Sequence, residues 1–174
     1  MVLLEKLKDE IEIVPTTPEH VHPFVLKHYL QTEPVHIKKV YGIVYKPTSE
    51  MIGMAIYGLP MMTATKSMKA GLSSGEVFEL KRLFVEDRPD LRNIESYVIA
   101  KTLQMIKEEF PDVKIVITFA DEKVGHLGGI YQATNAIYLG KSPEGKHKYA
   151  YILRGNIKAL QNLLQTRPYP KKEN

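Results

Sequence analysis

IESYVIAKTLQMIKEEFPDVKIVITFADEKVGHLGG, residues 94–129, decides how this chain folds. In its first half Ile94, Val98, Ala100, Leu103, Met105 and Ile106 share one broad face, with Lys and Glu opposite. That spacing predicts a helix lying on a core. Pro111 and Asp112 stop it. VKIVITFA, 113–120, is nearly continuously apolar and β-branched, as a strand buried on both faces must be. Upstream, EVFELKRLFV at 76–85 alternates like a strand, and residues 86–93 form a polar turn. Strand, helix, strand over 76–120 requires two parallel strands joined by a right-handed crossover. Ligands of such sheets bind beyond the carboxyl ends of the strands, here Val85 to Asn93 and Ala120 to Gly129.

Working outward, residues 1–12 read as a short helix or a frayed arm. Thr17 and Pro18 suit the N-cap and first position of a helix carrying His20, His22 and His28 and ending near Leu30. VHIKKVYGIVYK and MIGMAIYGLP form a hairpin about Pro47-Thr48-Ser49. Met61 to Gly75, rich in Ser, Thr, Gly and Lys, reads as a mobile loop. The run Tyr131, Gln132, Thr134, Asn135 falls on a helix after the glycines. KYAYILRG is a last strand, IKALQNLLQ a closing amphipathic helix, and RPYPKKEN, 167–174, a flexible basic tail. The expected fold is α/β (α+β), a mixed sheet flanked by helices in one domain spanning 1–174.

Composition narrows the function. At 174 residues and 44% apolar the chain fills one core, and no run reaches the ~20 apolar residues of a membrane helix. The start, MVLLEKLKDE, has an acidic residue at position 5 and no apolar core, so no signal peptide is expected and the cytoplasm is the default. The absence of cysteine removes disulfides, thiol catalysis and thiolate metal sites. A net charge of +4 suits nucleic acid and equally an ordinary basic enzyme.

The candidate chemistry clusters at the two strand ends. Asp121, where VKIVITFA leaves the core, either aims its lone pairs at a substrate amine or caps the amides of Lys123 and Val124. Gly125-His126-Leu127-Gly128-Gly129 has three glycines in five residues, which permits positive φ angles or a close backbone approach. Its amides can hold an anion, and His126 is a candidate base. Tyr131 can protonate a leaving group, and Asn135 can bridge an amide or phosphate. Arg82 falls on the leucine face of its strand, so it must be paired or face an anion. Arg88, Arg92 and Asn93 precede the long helix, with Ser96 in its first turn. No Walker loop, strand-linked GxGxxG, HExxH or GxSxG is present. His20 and His22 at i, i+2 point apart and make a poor metal pair.

His28-Tyr29, FELKRLFV, RNIESYVIAKTLQMIK and, above all, FADEKVGHLGGIYQATNAIYLG resemble the phage Mom family, DNA-modification proteins of the GNAT (acyltransferase-like) superfamily. The resemblance covers residues 24 to 155. It implies a twisted mixed sheet and a transferase that adds a carbamoylmethyl-type group to the exocyclic amine of adenine in DNA, protecting phage DNA from restriction. It further implies a phage-infected or prophage-bearing host cytoplasm. By resemblance Arg82, Ser96, Asp121, Tyr131 and His28 form the functional set. Arg82, Leu83, Arg88, Arg92, Asn93, Ser96 and Asn135 would hold acetyl-CoA or a related acyl donor. Tyr29, Tyr57, His126, Gly128 and Gln132 would meet the base. Lys66, Lys69, Lys141, Lys146, Lys148, Lys171 and Lys172 would contact phosphates. One departure stands out. The superfamily loop Gln/Arg-x-x-Gly-x-Gly/Ala has no match, and starting it at Arg92 puts Glu95 and Tyr97 at the small positions. The alternative function is an acyl-CoA-dependent N-acetyltransferase acting on a small molecule or protein amine. No metal set is expected from the spacing of His28 and Asp121.

Overall fold

A computed structural model describes residues 2–61 and 71–172, in two compact units, Met1–Gly58 with Leu80–Met105 and Leu59–Glu79 with Ile106–Asn174. Lys66, Lys69 and most of the 61–75 loop lie outside the described residues.

The first unit opens with helix α1, Val2–Glu10, strand β1, Ile11–Thr16, and helix α2, Pro18–Lys27. Strands β2, Ile37–Tyr45, and β3, Glu50–Gly58, form the expected hairpin. β1 pairs antiparallel with β2 from Ile11↔Tyr45 to Thr16↔Val40. This strand is not expected from the sequence, because Pro15 argues against a ladder. It is tolerated because β1 is the edge of the sheet, where no hydrogen bond is lost on the open side. α2 ends at Lys27 and not near Leu30, since His28 turns extended and caps it. Val21, Phe24 and Val25 of this helix bury against Val40, Met54 and Ile56.

Strand β4, Val77–Val85, and helix α3, Ile94–Glu109, each run from one unit into the other. On α3, Ile99 is buried while Ala100 is exposed, so the apolar stripe is rotated slightly from the predicted face.

In the second unit β4 pairs parallel with strand β5, Ile115–Asp121, through Val77↔Ile115 and Glu79↔Ile117, as the crossover demands. A short 3₁₀ turn, Glu122–Val124, leads to helix α4, Gly129–Ala133. α4 has only five residues. The longer helix read there is wrong: Asn135 takes φ +65° and ends it, and the chain continues as strand β6, Ile137–Lys141. β7, Lys146–Ile152, and helix α5, Ile157–Leu164, follow. α5 is capped by Asn156, whose side chain accepts from the Ala159 amide at 3.0 Å. Val77, Ile115, Ile117, Ala150, Leu160 and Leu164 form the core.

Among the described residues the sheet is seven-stranded and mixed, ordered β1-β2-β3-β4-β5-β7-β6. No helix among them is long and apolar enough to cross a membrane.

Candidate active site

Asp121 ends β5, an interior strand that carries the second unit's core to its rim. One carboxylate oxygen, Oδ1, accepts from the Lys123 amide at 3.0 Å and caps the 3₁₀ turn. The cap reading is therefore correct for Oδ1. Oδ2 has no hydrogen-bond partner among the described residues, which leaves it able to accept a proton. The carbonyl of Asp121 accepts from the His126 amide at 3.0 Å, so the loop closes back on its own start. His126 itself is exposed.

The glycines have two different reasons. Gly125 has φ +84° and open space around it. Gly128 has φ +87°, and a Cβ there would lie 2.2 Å from Cε2 of Tyr149. Gly128 is thus required by packing against a tyrosine, not by approach of a ligand. The Tyr149 hydroxyl donates to the Leu127 carbonyl at 2.5 Å and accepts from Gln132 Nε2 at 2.9 Å. Burial holds its phenol above the usual range, keeping the proton that the Leu127 bond requires. Gln132 is therefore spent on Tyr149 and not directed at a base. The Tyr131 ring packs on the same side chain, centroids 5.6 Å apart. Thr134 bonds the Tyr151 hydroxyl at 2.6 Å, and burial raises that phenol strongly.

A second chain of contacts holds this loop. The Tyr138 hydroxyl bonds His147 Nδ1 at 2.8 Å, His147 Nε2 meets Glu122 Oε2 at 3.1 Å, and Lys141 Nζ meets the same oxygen at 2.8 Å. Lys141, and secondarily His147, hold the Glu122 carboxyl below the usual range. Lys141 is accordingly not a spare phosphate contact. Lys148 is also mostly inside, and burial lowers its ammonium. Tyr138, His147 and Tyr149 went unnoticed in the sequence. The one signal for them is KHKYAYI, where His147, Tyr149 and Tyr151 alternate onto one face.

The first unit holds the other candidates. His28 is buried, and its Nδ1 accepts from the Leu30 amide at 3.2 Å, so the neutral ring carries its proton on Nε2. The Tyr29 ring lies 4.5 Å from it and is partly exposed. Arg82 donates to the Thr32 carbonyl and hydroxyl and to the Lys81 carbonyl, which fixes the chain just beyond His28-Tyr29. Leu83 beside it is half-buried. Tyr57 is fully buried, with its hydroxyl 2.6 Å from Thr102 Oγ1. It is core, not a stacking platform for a base. Glu86, Asp87, Arg88, Arg92, Asn93 and Glu95 contribute to a pocket of about 550 Å³ before α3. Arg88 lies 4.3 Å over the Tyr45 ring, Asn93 takes φ +62°, and Ser96 is half-buried in the first turn. No group of His, Asp and Glu able to hold a metal occurs among the described residues.

Solved structures establish the fold. A GNAT family acetyltransferase from Elizabethkingia anophelis, solved with acetyl-CoA, is 16% identical with a TM-score of 0.57 over 83% of this chain and 99% of its own. The GNAT acetyltransferase YhbS from Escherichia coli, solved with CoA, is 11% identical with a TM-score of 0.59 over 87% and 84%. The methylcarbamoylase mom of Escherichia phage Mu is 40% identical over 62 residues, which is 36% of this chain and 25% of that protein. The Mom protein family matches residues 10–145, which contain both strand ends and the loop at Asp121. This chain, with a GNAT-type sheet, belongs to the Mom protein family.

Proposed function

We propose that this protein is a DNA-modifying transferase that adds a small acyl-derived group, of the carbamoylmethyl type, to the exocyclic amine of adenine. The observation that carries the reading is Asp121: it ends the interior strand β5 inside the family match, with Oδ1 spent on a cap and Oδ2 unengaged among the described residues. Adenine's amine is a poor nucleophile because its lone pair is delocalised into the ring. An aligned proton acceptor and a closely held electrophile are what it needs. In the step proposed, the N6–carbon bond forms, the bond from that carbon to its leaving group breaks, and the N6 proton passes to Asp121 Oδ2. The leaving group takes a proton from the Tyr131 hydroxyl. The base must leave a duplex stack to reach the site, which costs a few kcal/mol.

The fold's relatives carry acetyl-CoA or CoA. The pocket before α3 does not suit the pyrophosphate of such a donor. Three carboxylates, Glu86, Asp87 and Glu95, outnumber two guanidiniums, and Arg88 is committed to the Tyr45 ring. Coenzyme A is therefore not the proposed donor, and the proposed electrophile is a methylene carbon that carries the leaving group. Within the first unit, Arg82, His28 and Ser96 are proposed as functional residues, Arg82 by fixing the Thr32 backbone.

The test is to co-express the protein with a plasmid, digest the DNA to nucleosides and search by mass. Altered deoxyadenosine is expected, with a loss of about a hundredfold or more in Asp121→Asn and Tyr131→Phe, the lower end of general acid–base contributions. Unaltered nucleosides alongside folded protein would overturn the reading. Thermal stabilisation by acetyl-CoA in that case would favour an N-acetyltransferase instead.

A further inference from the structure

The C-terminal segment runs along the outer edge of the sheet. β6 ends the strand order, and Arg167 pairs antiparallel with Tyr138, its amide donating to the Tyr138 carbonyl at 2.8 Å. Two residues on, the Tyr169 hydroxyl donates to the Ala136 carbonyl at 2.6 Å. The backbone bridge and the side-chain bond together hold residues 167–169 along the β6 edge as a strap. Its alternate positions are Pro168 and Pro170. With the Arg167 amide turned toward β6, the next position, Pro168, has no N–H to offer a further strand.

What it presents instead is cationic. The Arg167 guanidinium rests against Gly140, where a Cβ would come within 3.1 Å of one of its nitrogens, and Gly140 has φ +90°. Gly140 sits at the irregularity between Tyr138 and Lys141 that lets the strand bend there. Arg167 is exposed, and its guanidinium makes no hydrogen bond or ion pair among the described residues. The carboxylate of Glu122 is already paired with Lys141 and bonded to His147 Nε2. Lys171 and Lys172 follow directly and are exposed. The charge of the whole chain is partitioned the same way. The first unit has eleven Lys and Arg against eleven Asp and Glu, whereas the second has thirteen against nine, the entire net +4. The strap also lies outside residues 10–145, the span that the family model matches.

We propose that the strap is a DNA-backbone clamp, with the Arg167 guanidinium contacting one phosphate and Lys171 and Lys172 its neighbours. A planar guanidinium held against backbone is pre-organised for phosphate and loses little freedom on binding. This rests on the reading of DNA as substrate, and the experiment separates the two. Duplex binding is measured by fluorescence anisotropy at several salt concentrations for the wild type, Arg167→Ala and Arg167→Lys. Each phosphate contact contributes about −0.9 to the log–log salt slope. Arg167→Ala should flatten the slope by about one and shrink the loss between 50 and 200 mM salt by about threefold. Arg167→Lys should restore most of the slope. Wild-type protein that does not bind DNA would sink both this inference and the function. Wild-type binding with an unchanged slope in Arg167→Ala would sink the clamp alone. So would weaker binding of Arg167→Ala to phosphatidylserine vesicles with duplex binding unchanged. Thermal melts coincident with wild type establish that the variants are folded.

Discussion

Gly128 shows how a residue that looks functional can be a packing necessity. Its φ of +87° and the Tyr149 ring, 2.2 Å from a would-be Cβ, act together. The ring cannot step aside without breaking its bonds to Leu127 and Gln132. Gly128→Ala should therefore cost about 3 kcal/mol, combining overpacking with left-handed strain, and lower the melting temperature by roughly 6–12 °C. Gly125→Ala, strained in backbone but clear of neighbours, should cost about 1 kcal/mol. Equal losses in the two melts would refute the packing account. Residue types alone made three glycines look like one anion cradle; only the fold distinguishes a glycine facing open space from one under a ring. The cap at Asp121 was legible because a carboxylate at the end of an apolar run readily accepts from the amides that follow it. Tyr57 was not, because a tyrosine whose hydroxyl finds a buried threonine reads the same as one facing a cleft.

At the scale of elements, the crossover was legible and the segment after it was not. Residues 94–120 carry two clean periods, and β4 and β5 pair parallel as they require. IYQATNAIYLG carries one turn of helix and one short strand, too brief for either period to show. The turn between them rests on Asn135 at φ +65°, a choice asparagine tolerates better than most residues. The loop joining β5 to α4 is held by the Lys141–Glu122–His147–Tyr138 chain, which yields a pH prediction. Glu122 is held below the usual carboxylate value of 4.5, first by Lys141. A carboxylate depressed in the folded state stabilises fully above its unfolded value and loses that contribution as pH falls through the folded one. Wild type should thus melt above Glu122→Gln at pH 7, and the gap should close between about pH 5 and 3. A gap that persists at pH 3 would show that Glu122 acts by packing, not by charge.

For the whole molecule, composition gave a net charge of +4 and could not say where it lies. The division into units answers that: the first is neutral and the second holds all of it. A DNA-binding protein with that asymmetry should gather phosphates on one unit, because counterion release follows local and not total charge. Two exposed lysines give the comparison. Lys38 lies on β2 in the neutral unit, and Lys123 lies in the loop after Asp121, where its amide but not its side chain serves the cap. Both lose one charge on substitution by alanine, and neither is buried, so folding should hold in both. Lys123→Ala should flatten the salt dependence of duplex binding by up to about one unit of slope, while Lys38→Ala should leave it within error. The anisotropy titrations that test Arg167 measure this directly. Equal slopes for the two variants would mean that DNA does not distinguish the units, and that the basic balance of this chain serves solubility.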